Sequence, residues 1–214
     1  MFEILGTLAS KIAASLSGRG IDWVLQRLRR PTIHLRRAPG NFFEHVLPGT
    51  SLATTREVLG TPHRVHGVWH SFEFSDVLVQ IGSADGQSVD WIAAVLPKLD
   101  RRARFPLAVG TMGSIVLGKS TLADALALDP EARVERESSS KHWCFWTESF
   151  FGFSGMYLHY LFGVIEAPCT STPGFDWDNE SNCLKSDPKT VRLNWIAVSG
   201  SQHAATAFNF WAFV

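Results

Sequence analysis

Apolar residues in the first segment fall at Phe2, Leu5, Ala9, Ile12 and Leu16, a 3-4-3-4 spacing that places them on one face of a helix. Gly18 and Gly20 break that helix. Residues 21–30 read as a second one carrying Trp23, Val24, Leu25 and Leu28, and Pro31 stops it. Residues 1–30 are therefore read as an amphipathic helical arm, and residues 31–46, with Pro31, Pro39 and Gly40, as a linker. The pattern changes at Leu47. Pro48-Gly49-Thr50-Ser51 predicts a turn and a hydroxyl helix cap, followed by a short helix through Leu52, Ala53, Val58 and Leu59 that closes at Gly60-Thr-Pro62. Loose alternation over 65–74, with Trp69, Phe72 and Phe74, predicts a strand; residues 77–81 and 89–96 predict two more, and Asp85-Gly86 predicts a hairpin turn between them.

The order then recurs. Leu117-Gly-Lys-Ser-Thr-Leu122-Ala123 echoes Leu47-Pro-Gly-Thr-Ser-Leu52-Ala53, and a helix through Leu126 and Leu128 is closed by Asp129-Pro130. A charged connector over 131–137 leads to an aromatic strand over 141–151 with His142, Trp143, Phe145 and Trp146. Gly152 and Gly155 turn the chain into an apolar strand over 156–165. A polar loop follows Pro168, and residues 190–198 and 205–214 read as closing strands, the last docked in the sheet. The fold class predicted is α+β: an N-terminal helical arm (1–30), a linker (31–46) and two tandem repeats of short helix plus antiparallel sheet, at 47–100 and 101–214.

Composition narrows the function classes. The chain has 214 residues, 45% apolar and 19% charged, which fills a core and does not describe a disordered chain. Twenty basic residues balance twenty acidic ones, so no global field points to nucleic acid. Six Arg lie between Arg19 and Arg37 with Asp22 the single acid, either a solvated face or a basic arm resting on a membrane surface. No run is long enough to span a bilayer and none has the shape of a secretory signal, which favours the cytoplasm. Cys144, Cys169 and Cys183 form no C-x-x-C pair; Cys169 and Cys183 bracket the polar loop and would close it in an oxidising compartment.

Gly113-Ser-Ile-Val-Leu-Gly118-Lys119-Ser120 fits the phosphate-loop pattern. In that reading, backbone amides wrap the phosphates, Lys119 reaches their oxygens and Ser120 holds magnesium. Against it, Ile115, Val116 and Leu117 suit a strand better than an anion loop, and the upstream echo has no lysine. His63, His66 and His70 are close in sequence, with Glu73 and Asp76 nearby, but lack the spacing of a metal site; His66 and His70 are expected on one face of one strand. Asp176, Asp178 and Glu180 imitate part of a calcium loop without its glycine and terminal glutamate. No metal or other cofactor is predicted.

Aromatic strands carry the remaining signal. Trp69, Phe72, Phe74, Trp143, Phe145 and Trp146 are the candidate partner-binding residues, since rigid aromatic anchors supply much of the energy at protein interfaces. The unit running from Leu47-Pro-Gly-Thr-Ser-Leu52-Ala53 to Val58-Leu59-Gly60 and Pro62 resembles the superfamily of the β-lactamase inhibitor protein and the small outer-membrane-assembly lipoproteins. Those proteins open each unit with a Gly-x-Ser/Thr cap, end its helix with Leu-Gly-x-Pro and continue into antiparallel sheet. The resemblance spans about residues 47–166. The second unit departs from it at Leu128-Asp129-Pro130, and the export usual in that superfamily has no support in the first segment. The stretch from Glu148 to Tyr157 also looks like an uncharacterised bacterial family without an assigned activity. The favoured reading is non-catalytic binding of another protein, inhibitor- or immunity-like, through an aromatic sheet face. The alternatives are a nucleotide-binding enzyme using Gly113, Gly118, Lys119 and Ser120, and a peripheral membrane adaptor using residues 1–30.

Overall fold

A computed structural model describes residues 35–200 apart from 101, 139–142, 154–155, 167–169 and 171–172. The chain divides into two compact units, Met1–Leu35 and Arg36–Val214. The helical arm, the docked strand expected at 205–214 and Cys169 lie outside the described residues. The second unit is α+β, and every pairing of its described strands is antiparallel.

In chain order the elements are α1 (Phe42–His45), α2 (Leu52–Leu59), β1 (Arg64–His66), β2 (Trp69–Glu73), β3 (Leu78–Gly82), β4 (Trp91–Val95), β5 (Phe105–Val109) and β6 (Gly113–Leu117). They continue with α3 (Leu122–Leu126), β7 (Val134–Ser138), β8 (Trp143–Phe153), β9 (Met156–Glu166), β10 (Trp177–Asp178), β11 (Cys183–Leu184) and β12 (Trp195–Ser199). Eight strands form one sheet in the order β1-β2-β3-β4-β12-β9-β8-β7; β5-β6 and β10-β11 are separate hairpins. The last described strand, β12, thus enters the middle of the sheet, between β4 and β9.

Side-chain caps set the helix starts. Ser51 Oγ accepts the Thr54 amide and caps α2, while Gly60 at φ +86 ends it and Arg36 Nη2 donates to the Leu59 carbonyl. Thr121 caps α3 reciprocally: its hydroxyl accepts the Asp124 amide, and the Asp124 carboxylate accepts the Thr121 amide. Both caps are also tied to the sheet. Ser51 bridges Ser88 ahead of β4, and Thr121 bridges Arg192 ahead of β12. Around each bridge the same bonds recur: Leu52 N–H to Gln87 O and Val89 N–H to Thr50 O in one, Leu122 N–H to Val191 O and Leu193 N–H to Ser120 O in the other.

Strand alternation gives the sheet two differently covered faces. One carries Phe72, Val79, Ile81, Ile92, Phe145, Phe162, Val164, Ile196 and Val198. It forms the main core with Phe42 and Phe43 of α1, Leu52 and Leu59 of α2, Leu107 and Ile115 of the β5-β6 hairpin, and Leu122 and Ala125 of α3. Each fully buried Phe or Leu there contributes roughly 1.5–3 kcal/mol relative to exposure. The second face holds a separate buried cluster of Trp91, Ala93, Val95, Cys144, Trp146, Leu161, Ile165, Trp195 and Ala197, with Trp69 at its margin; among the described residues all its members come from strands.

Several local expectations need correction. Residues 65–74 are two strands, because Gly67 at φ +56 turns the chain; His66 pairs with Trp69 and Val65 with His70, so His66 and His70 lie on opposite faces. The hairpin at Asp85-Gly86 is a longer loop over 83–90, held by the Asp85 carboxylate. The charged connector at 131–137 contains the edge strand β7. The strand expected at 190–198 begins only at Trp195, since Asn194 turns its side chain to the Ile165 N–H and C=O.

Candidate binding face

Register builds the strand-only face row by row. Trp69 of β2 is opposite Gly82 of β3, which is opposite Trp91 of β4. On the other side of the sheet centre, Trp195 of β12 is opposite Gly163 of β9, which is opposite Trp146 of β8. Glycine is needed between each tryptophan pair. A Cβ on Gly82 would run into the Trp91 indole, and one on Gly163 would collide with the Phe145 carbonyl and Trp146. At the centre, Ala93 of β4 is paired with Ala197 of β12. Small residues form the floor and indoles form the walls.

Polar groups on this face are few. Gln80 Nε2 donates to Ser71 Oγ at 2.9 Å, and both residues are buried. The buried indole N–H groups of Trp146 and Trp195, whose ring centroids are 6.0 Å apart, have no hydrogen-bond partner among the described residues. Cys144 is buried in the same cluster; burial first, then the charge of Glu137, pushes its thiol up to about 12. At the rim, His66 stacks on Trp69 with centroids 6.0 Å apart, and Glu148 Oε1 accepts His159 Nδ1–H at 3.0 Å. Phe150 packs edge-on against His159 at 4.2 Å, and Phe150 and Tyr157 are exposed. Beyond Trp91 the face ends in an open cleft lined by Pro48, Gly49, Ser88, Asp90 and Gly200.

Of the six aromatic residues singled out in the sequence, the structure places Trp69 and Trp146 on this face. Phe72, Phe74 and Phe145 belong to the main core. Trp143 shares the side of Phe145 and packs on Phe175 and Trp177, with the Arg136 guanidinium over its ring. The six are therefore divided between two faces. Trp91 and Trp195 join Trp69 and Trp146 instead, and a sequence signal for them exists: Trp-Ile-Ala occurs at 91–93 and again at 195–197, each time opening a strand.

The glycine–lysine segment has a different geometry from an anion loop. Gly113–Leu117 is β6, paired antiparallel with β5, and α3 after it has five residues. The Lys119 and Ser120 amides both donate to the Val116 carbonyl, and Ser120 Oγ accepts the Val116 amide. Gly118, at φ +88, packs against the Ala103 carbonyl, and Lys119 is exposed. The Lys119 and Ser120 amides are thus used inside the chain, on the Val116 carbonyl. His63 Nδ1 accepts the Glu73 amide, and the Asp178 carboxylate accepts the Glu180 amide and the Ser181 hydroxyl, so these residues are engaged in local turns. Among the described residues no helix is long and apolar enough to cross a membrane. Comparison of the chain with protein-family models, with curated proteins and with solved structures finds no match.

Proposed function

We propose that this chain is a non-catalytic protein-binding module, built by duplication of a unit of one helix and four strands, that takes its partner through the strand-only face of the sheet. The observation that carries the reading is the register of the central pair. Trp91 is opposite Ser199, Ala93 opposite Ala197, and Val95 opposite Trp195. That pairing is symmetric about Ala93 and Ala197 if Trp91 corresponds to Trp195. The same correspondence matches Gly82 with Gly163, Trp69 with Trp146, and the bridge of Ser51 to Ser88 with that of Thr121 to Arg192. Three independent sets of contacts agree on one pseudo-twofold relation, which supports duplication.

Binding is favoured over catalysis by the make-up of the face, which is mainly indoles and small side chains; Trp91, Trp146 and Trp195 are buried, and Trp69 at the margin is the half-buried indole within a partner's reach. Tryptophan is the residue most enriched at interface hot spots. The resemblance to the inhibitor-protein superfamily points the same way and adds an inhibitory role. To test the reading, the full chain is used as bait in its native host, and the recovered protein is titrated against wild type and Trp69→Ala. The expected outcome is a Kd weakened at least about tenfold, a ΔΔG near 1.4 kcal/mol, with an unchanged melting temperature. Retention of no protein, or equal affinity for the variant, overturns it.

A further inference from the structure

β8 and β9 run on as a two-stranded ribbon. Among the described strands β7 pairs with 143–147 and β12 with 159–163, so residues 148–153 and 156–158 run past the described ends of β7 and β12. One side of the ribbon is held down: Ser149 is buried, and Phe151 and Leu158 pack on the main core. The other side carries Glu148, Phe150, Tyr157 and His159, in line with the strand-only face, because Phe150 pairs with His159 and Gly152 with Tyr157. Phe150 is 48% and Tyr157 52% exposed, and they are the only aromatic residues among the large exposed hydrophobics of the described chain.

We propose that this corner receives an arginine side chain of the partner protein; the idea rests on the protein-binding reading and names the chemistry the partner must present. The first reason is charge. Glu148 uses Oε1 for His159, its Oε2 makes no bond among the described residues, and Glu135 and Glu137 of β7 point to the same side, opposite Trp146 and Cys144. Among the described residues no Lys or Arg forms an ion pair with Glu148; Arg133, one residue before β7, is exposed. The second reason is shape. Nδ1 of His159 carries the proton it gives to Glu148, which fixes the imidazole, and the Phe150 ring packs T-shaped against it. A carboxylate oxygen beside aromatic rings suits a guanidinium, which stacks on a π face while it hydrogen-bonds in its own plane. An ammonium, a more strongly hydrated point charge, can satisfy only one of these demands well.

The test uses the full chain and three blocked tripeptides, acetyl-Gly-Arg-Gly-amide, its lysine analogue and its neutral citrulline analogue, with two-dimensional NMR of the aromatic and imidazole resonances. The arginine peptide is expected to shift Phe150, Tyr157 and His159 saturably, the lysine peptide more weakly, and the citrulline peptide not at all. Glu148→Gln is expected to weaken the arginine peptide about fivefold, and Phe150→Leu, which keeps the apolar bulk and removes the π face, by about twofold to fivefold. Wild-type melting temperatures of both variants verify folding. Absence of saturable shifts, equal binding of citrulline, or unchanged affinity in either variant overturns the proposal. Loss of the arginine shifts with retained Trp69-dependent capture removes this inference alone; the opposite pair of results removes the assignment to the tryptophan face.

Discussion

Ala93 and Ala197 face each other at the midpoint of the central strand pair, both fully buried, with tryptophan walls on either side. Both methyl groups are fully buried, so a larger side chain at either position must displace what covers it. Ala93→Leu or Ala197→Leu is expected to cost about 1–3 kcal/mol by overpacking. Because the two residues are in direct register, the double variant is expected to deviate from the sum of the single ones by more than about 0.5 kcal/mol. Urea unfolding of the four proteins measures both quantities, and additive costs would show that the two side chains do not share a space.

Glycine substitutions separate backbone strain from steric blockage. Gly86 and Gly118 both have positive φ, +68 and +88, but a Cβ on Gly86 meets open space while one on Gly118 meets the Ala103 carbonyl. Gly86→Ala is expected to lose about 1 kcal/mol and Gly118→Ala about 3 kcal/mol or more. Equal losses would mean that Gly118 is retained for its dihedral alone, without the close approach of backbone.

Acid sensitivity has a specific origin in the 83–90 loop. The Asp85 carboxylate accepts the Ser88 and Gln87 amides and the Ser88 and Ser83 hydroxyls; these bonds, the Ser88 amide foremost, hold its pKa at about 2, below the ordinary 3.8. A depressed carboxylate stabilises the fold fully above its unfolded value, and that contribution disappears as pH falls through the folded one. Asp85→Asn is therefore expected to melt lower than wild type at neutral pH, with the gap closing between pH 4 and 2. A gap of constant size across that window would rule out ionisation as the cause.

Thiol labelling compares an exposed cysteine with one buried in the tryptophan cluster. Cys183 is an exposed free thiol, whereas Cys144 is buried and its pKa stands near 12. In a Cys169→Ser background at pH 8, iodoacetamide is expected to modify Cys183 in the native protein and Cys144 only after denaturation. Mass spectrometry distinguishes the sites, and rapid native labelling of Cys144 would show that the tryptophan face opens readily.

The local parts of the fold were legible because local chemistry decides them. Ser51, Gly60 and Thr121 announce helix ends through cap geometry, and the apolar runs around Ile81, Ile92 and Phe162 announce strands. Non-local choices were hidden. Nothing near Trp195 in the chain says that its strand inserts beside Val95, a hundred residues away, and that insertion decides which aromatic residues share a face. Parity did the rest: Phe72 and Phe145 each differ by an odd number of positions from Trp69 and Trp146, and a strand sends such neighbours to opposite sides. The charged strand β7 was missed because its edge position permits Glu135, Arg136 and Glu137, a composition that reads as a connector.

Late arrival of β12 orders the events of synthesis. While the chain emerges, β4 has β3 on one flank and a bare row of amides and carbonyls on the other until residue 199 has been made. The first half can condense early but not finish, and its naked border is the place where nascent molecules would stick to one another. Closing the sheet must wait for a strand made a hundred residues after its partner, a long-range pairing of the kind that slows folding.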